Sequence, residues 1–404
     1  MQPRILTVLI CSQILSGVGL AAGVTVASLL LQDMLETTAL AGLGIALLTA
    51  GSAGAALLVG RVSQARGRRP GLAGGYLVGA IGGGGVVAGA TIDSLILVLL
   101  ALVLYGAGTA VNLQARYAGT DLVAPTHRAR AIASVLVATT LGGVLGPNLA
   151  APAGELAAFL GLPRLTGLFV LSSAAFALAA IVLLLWLRPD PLLLARSQSA
   201  AQDAGRNAPG AAGPAAEPRS ARRVPSLRMG VLTLVLSQGV MVAIMTMTPV
   251  HMHAHGLGAA ASGLVIAVHV AAMFLPSPLT GLLVDRCGPL TIVAAAAAAL
   301  AAAGVLAAFA PGDSVPVLTL ALLLLGLGWN AGLVSGTALV TEVLPPETRA
   351  KTQGLIDVAI AVAGAVGGLA SGMLVSAADF AVLSLVGGVL AIMLLPAVVR
   401  GGAH

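Results

Sequence analysis

Apolar residues run through this chain in long blocks that charges, prolines and glycine clusters interrupt at intervals. A helix needs about 20 mostly apolar residues to cross the hydrocarbon layer of a bilayer. Twelve such blocks fit, at 5–31, 40–62, 71–91, 95–118, 129–152, 163–187, 228–250, 260–283, 289–310, 316–341, 351–375 and 378–399. A membrane β-barrel would instead show ten-residue strands of alternating polarity with aromatic girdles, and the blocks show neither. The pattern predicts an all-α integral membrane protein with twelve transmembrane helices. The first block begins directly after Met1-Gln2-Pro3-Arg4 and has the length of a full span, so it reads as an uncleaved first helix.

Composition sharpens that reading. Of 404 residues, 58% are hydrophobic and 8% charged, and the mean hydropathy is +1.04, whereas a soluble domain carries roughly 25% charged residues. Glycine numbers 52 and aromatics make up 3%, a balance suited to helices that pack closely in lipid. A net charge of +6 would suit a nucleic-acid partner only if the cations formed one face. Here they sit in short loops. With the N-terminus in the cytoplasm, all Lys and Arg residues but Arg164 fall on the cytoplasmic side, so a multi-pass plasma-membrane protein with both termini inside is expected. Cys11 and Cys287 are isolated and imply no disulfide framework or zinc site.

The stretch from 188 to 227, rich in Ala, Gly, Pro, Ser and Arg, lacks a long apolar run and reads as a flexible cytoplasmic linker. It separates an N-terminal six-helix bundle (1–187) from a C-terminal one (228–404). The halves repeat with one offset. Thr120-Asp121, Pro125, Arg128 and Arg130 recur 221 residues later as Thr341-Glu342, Pro346, Arg349 and Lys351, and Gly60 and Gly67 recur as Gly281 and Gly288. Parallel repeats joined by a linker are a transporter architecture, with two pseudo-symmetric bundles about an axis along the membrane normal.

On these residues the chain resembles the major facilitator superfamily over nearly its whole length. The loop Gly60-Arg61-Val62-Ser63-Gln64-Ala65-Arg66-Gly67-Arg68-Arg69 is similar to that family's G-x-x-x-D-R-x-G-R-R signature, with Gln64 and Ala65 in place of the Asp-Arg pair. Its second copy, Gly281-Leu282-Leu283-Val284-Asp285-Arg286-Cys287-Gly288, keeps Asp-Arg and loses the trailing basic residues. The resemblance implies that these loops latch the cytoplasmic side. In the fifth block, Gly142-Gly143-Val144-Leu145-Gly146-Pro147-Asn148-Leu149-Ala150-Ala151 resembles the G-x-x-x-G-P-x-x-G-G pattern associated with proton-driven drug exporters, with Ala150 and Ala151 in place of its last two glycines. A Gly/Pro run also permits close packing and a bend at Gly142, Gly146 and Pro147. The fourth block departs from the exporter pattern: Gly106 and Gly108 are present, but Leu102 and Tyr105 stand where that pattern has Arg and Gln.

An ionisable group inside a span is costly and therefore a functional candidate. Asp357 lies six residues along from Lys351, about 9 Å into the eleventh helix, and its repeat counterpart is Leu136. It reads as a proton-handling or cation-binding group, or as a cap or ion-pair partner of a nearby Arg. His269, counterpart of Leu48, sits mid-span and reads as a second proton station or a neutral interhelical hydrogen-bond donor. Arg116 either snorkels to the interface or faces the cavity. Asp121 and Glu342 are expected to pair with the basic loops at Arg68, Arg69 and Arg286. Asn112, Gln114, Asn148, Gln238 and Asn330 are uncharged candidates for lining a substrate cavity. His251 and His255 share a helical face and invite a metal reading, but His253 points elsewhere and no acid or Cys lies nearby in sequence, so an interfacial loop is the simpler account and no metal is expected.

These features point to a secondary transporter, with proton-coupled export of small apolar or amphipathic compounds first and proton-coupled uptake of a sugar or organic anion second. The expected partners are a small-molecule substrate, protons and membrane lipid, with no cofactor, no nucleic acid and a monomeric state. The sequence lacks H-E-x-x-H, paired catalytic carboxylates and a Walker loop, which argues against an enzyme.

Overall fold

The computed structural model describes residues 2–35, 43–206 and 219–395, with the side chains of a few internal stretches, 141–148 among them, outside the description. Every element is helical among the described residues. The first half contains α1 (Gln2–Leu35), α2 (Leu43–Arg66), α3 (Arg68–Thr91), α4 (Leu95–Ala118), α5 (Arg128–Asn148), α6 (Ala150–Phe159), α7 (Gly167–Trp186) and α8 (Pro191–Arg206). The second contains α9 (Arg219–Ala254), α10 (Ala259–Phe274), α11 (Ser277–Cys287), α12 (Pro289–Ala308), α13 (Val315–Val343), α14 (Arg349–Ala377) and α15 (Phe380–Ile392). Among the described residues nine helical stretches are long and apolar enough to cross a membrane. The other expected spans are the helix α1, the pair α5–α6 and the helix α15, each with residues beyond the described set in or beside it. Helices are the expected solution, because lipid offers no partner to an unpaired backbone group.

Two expected spans are interrupted. Pro152 lacks the amide that would bond to the Asn148 carbonyl, and α5 gives way to α6 at Leu149. Pro276 and Pro278 do the same between α10 and α11, where the Met273 carbonyl is taken up by the side chain of Asn330 at 2.7 Å. The stretch expected to be a flexible linker carries α8 and the first turns of α9.

The chain divides into two compact units: residues 1–123, 134–216 and 345–361 form one, and 124–133, 217–344 and 362–404 form the other. The segments that leave their own half, 124–133 and 345–361, begin at positions related by the 221-residue offset. In the first unit, Tyr76, Tyr105, Phe169 and Phe176 build an aromatic core, with Tyr105 5.3 Å from Phe169 and 5.4 Å from Phe176 between ring centroids. Close approach there requires glycine: a Cβ on Gly106 would run into the Leu48 carbonyl, and one on Gly108 into the Phe176 ring. In the second unit Gly304 crosses Ser384 and Gly388 at similarly short range.

Candidate functional site

The arrangement begins at the turns that join α2 to α3 and α11 to α12. Gly67 and Gly288 both hold positive φ, 100° and 85°, a region where a Cβ is strained. Each turn aims the preceding helix end at the start of another helix. Asp285 accepts from the backbone N–H groups of Ala129 at 3.1 Å and Arg130 at 3.2 Å, and its Oδ2 also takes Arg130 Nε at 3.1 Å. Gln64 stands 221 residues earlier and does the corresponding work: its Oε1 accepts from Ala350 N at 2.7 Å and Lys351 N at 3.2 Å. Both acceptors satisfy N–H groups that a helix start leaves unpaired, and they meet the positive end of its dipole.

The glycines follow the same symmetry. A Cβ on Gly60 would come within 2.9 Å of the Ala350 carbonyl and 3.0 Å of Gly354 Cα, and one on Gly281 within 2.7 Å of the Ala129 carbonyl and of Ala133 Cβ. Gln64, which departs from the Asp of the signature, thus fills the acceptor position with a neutral amide. Its Nε2 adds donation to the carbonyl of Pro346 at 3.1 Å and to that of Glu347, which a carboxylate cannot do. Gln64→Leu removes every one of these bonds and is expected to lower stability by about 1–2 kcal/mol, whereas Gln64→Asp keeps the caps and should lose less than half of that; thermal unfolding of the two purified variants checks the ranking.

Behind this turn lies a buried ionic network within the first unit. Arg68, fully buried on α3, bonds through Nε to Asp121 Oδ2 at 2.8 Å and through Nη2 to Gln353 Oε1 at 2.6 Å. Arg349 reaches the other oxygen of Asp121 at 3.5 Å. The remaining expected latch residues are placed differently. Arg69 contributes its backbone N–H to Asp190 at 2.7 Å, and Arg286 and Glu342 are exposed. The reason lies in the repeat: the counterpart of Arg68 is Pro289, which has no charge to bring to Glu342.

Two turns further along α14, Asp357 meets α4. Arg116 Nη2 bonds to Asp357 Oδ1 at 2.7 Å, with the Arg116 side chain fully buried and that of Asp357 3% exposed. Tyr117 OH receives Arg116 Nη2 at 3.0 Å and lies 3.4 Å from the same carboxylate oxygen. Asp357 Oδ2 is buried with no hydrogen-bond partner among the described residues. Arg116 therefore neither snorkels nor stands alone; its charge is matched by an acid from the other repeat.

The other candidates separate into local groups. Asn112 donates to Ser16 Oγ at 2.9 Å, inside a buried network where Gln13 bonds to the Asn112 carbonyl, Thr139 and Tyr76. Gln114 donates to the Ala56 carbonyl at 2.8 Å. In the second unit Asn330 donates to Ser277 Oγ and accepts from Thr280, which mends the α10–α11 break. Gln238 accepts from Trp329 Nε1 at 2.8 Å, and Phe274 packs edge-on against that indole at 5.6 Å. His269 is fully buried; its Nδ1 lies 2.8 Å from the Leu322 carbonyl, so that nitrogen carries the hydrogen, and Nε2 has no partner among the described residues. His251 stacks on Phe380 at 4.4 Å and lies 4.3 Å from His255. Among the described residues no group of three or more His, Cys, Asp or Glu is placed to hold a metal ion. Beyond their helical backbone, Gly142, Gly146, Pro147 and Asn148 lie outside the described residues.

Multiple apolar helices, a 221-residue repeat and ion pairs buried between helices of the two repeats define a polytopic membrane protein of the secondary-transporter class. The sequence profile of the Major Facilitator Superfamily matches residues 9–276 and, overlapping them, 231–401, and the chain belongs to that family. It is 51% identical over 396 residues to the uncharacterized MFS-type transporter YdeG of Bacillus subtilis (strain 168), covering 98% of this chain and 91% of that protein. It is 30% identical over 328 residues to the riboflavin transporter RfnT of Brucella anthropi, covering 81% and 77% of the two chains. Among solved structures it is similar to the human organic anion transporter MFSD10, with a TM-score of 0.76 at 19% identity over 98% of this chain and 99% of that one. A similar fold is seen in the proton:xylose symporter XylE, with a TM-score of 0.76 at 16% identity over 97% and 94%.

Proposed function

We propose that this transporter couples proton movement to the export of small apolar or amphipathic compounds by alternating access. Asp357 is the proton-carrying group and Arg116 its counter-charge. The observation that carries this reading is the buried Arg116–Asp357 pair, with one carboxylate oxygen bonded and the other bare. While Asp357 is charged, the pair ties the start of α14 to α4. Adding a proton removes the attraction and leaves Arg116 buried without a counter-charge, a costly state that water entry relieves. Protonation thereby favours release of α14 from α4, and deprotonation favours its return. His269 is a second candidate station, with one ring nitrogen committed and one bare.

An uncharged substrate fits the remaining polar residues, since the half-buried Gln238 offers an amide and the half-buried Phe274, packed edge-on against Trp329, an aromatic face. The charge distribution along the chain supports placement in the plasma membrane with both termini cytoplasmic. Uptake by symport is the second reading, and the 30% identity to a protein named as a riboflavin transporter makes riboflavin a compound to test in either direction. Direction is tested by supplying riboflavin and chemically varied amphipathic compounds to inverted and right-side-out vesicles under an imposed pH gradient. Export predicts proton-driven accumulation in inverted vesicles; accumulation confined to right-side-out vesicles overturns export and supports the second reading.

A further inference from the structure

Outside the ion-pair network, the first unit has a cavity of about 520 Å³ lined by Arg61, Gln64, Ala65, Arg196, Glu347 and Lys351. Three cations face one carboxylate there. Arg196, on α8, is built into the wall: its Nε and Nη2 donate to the backbone carbonyls of Pro346 at 3.2 Å and Gln64 at 2.5 Å. Carbonyls position a guanidinium but do not neutralise it. Arg61 and Lys351 are exposed and join no ion pair among the described residues. Gathering three like charges from α2, α8 and α14 around one space is unfavourable unless an anion shares it.

Position narrows the class of anion. Arg61 lies in the last two turns of the apolar stretch Leu43–Arg66 and Lys351 in the first turn of Arg349–Ala377, so the cavity sits where spans end and lipid headgroups begin. Beside it, α8 has Leu192 fully buried and Leu193 43% exposed, with Arg196, Ser197 and Gln198 following in the next turn, the make-up of a helix that lies in the interface. Basic pockets between membrane helices at this level hold acidic headgroups.

We infer that this cavity binds the phosphate of an acidic phospholipid. The headgroup fastens α2 and α8 to the 346–351 segment that Gln64 caps, and so steadies the end of α14 that carries Asp357. The inference is independent of substrate and of transport direction.

The test uses the purified full chain in detergent, with phosphatidylglycerol, phosphatidylcholine or inorganic phosphate added. Native mass spectrometry counts retained lipid, and thermal unfolding reports stabilisation. Arg61→Gln/Lys351→Gln is the variant, since both side chains are exposed and neither serves the ion-pair network. Wild-type protein is expected to retain phosphatidylglycerol in preference to phosphatidylcholine and to unfold at a higher temperature with it. The preference should fall by roughly fivefold for each cation removed. Equal retention of the two lipids by wild-type protein, or an undiminished preference in the double variant, overturns the site. Stabilisation by inorganic phosphate that matches phosphatidylglycerol and vanishes in the variant overturns the lipid as source and assigns the cavity to a soluble anion.

Discussion

Asp357→Asn is expected to abolish proton-driven accumulation while leaving exchange of the same compound at equilibrium largely intact. The amide keeps the shape of the carboxylate but cannot carry a proton. It also strips Arg116 of its counter-charge in a fully buried position, which costs about 3–5 kcal/mol. Reduced stability alone would therefore be ambiguous. Arg116→Gln/Asp357→Asn resolves it, since two amides in place of a buried pair should restore most of the stability without restoring driven accumulation. Driven flux and exchange measured side by side in proteoliposomes, with thermal unfolding of the same preparations, give the three quantities. Driven accumulation at wild-type level in either variant would remove Asp357 from coupling.

The second large effect is expected at Asp121. This carboxylate neutralises two buried arginines, Arg68 at 2.8 Å and Arg349 at 3.5 Å. Asp121→Asn takes the bonded carboxylate from the fully buried Arg68 and weakens the hold on Arg349, and should destabilise the protein by about 3–5 kcal/mol. Asp285→Asn is the contrast. Its charged partner Arg130 is 47% exposed, so the pair is screened by solvent, and an Asn side chain still accepts from a helix-start N–H; the expected loss is below about 1 kcal/mol. Equal unfolding temperatures for the two variants would contradict the network as described.

The helical class and the repeat were readable because both are written in long-range pattern: block length sets the spans, and one offset relates two loops. The same offset also held a deduction that inspection of the signature loop alone missed. Gln64 looks like a lost Asp, yet the offset maps it onto Asp285 and maps Ala350 and Lys351 onto Ala129 and Arg130. Applied to contacts rather than to residue identity, it predicts that Gln64 caps α14 as Asp285 caps α5. The pairing of Arg116 with Asp357 was not legible. The two residues are 241 positions apart and on helices of different repeats, and neither has an ionisable counterpart in the other repeat to announce a partner.

The polar side chains of Asn112 and Asn330 show the same limit from the other side. From sequence each reads as a cavity residue, but Asn112 is committed to Ser16, and Asn330 bonds to the Met273 carbonyl at the α10–α11 break. The interruption at Pro276 was a local signal for that second role. Gln353 and Tyr117 carried no such signal, since a Gln or Tyr near a helix end is ordinary at the membrane interface.

Whether Asp357 gains and loses a proton can be read by infrared difference spectroscopy of the lipid-embedded protein, without knowledge of the substrate. As pH is lowered, wild-type protein should develop the carbonyl band of a protonated, buried carboxylic acid that Asp357→Asn lacks. The same band at the same strength in the Asn variant would show that Asp357 is not the group that takes up the proton.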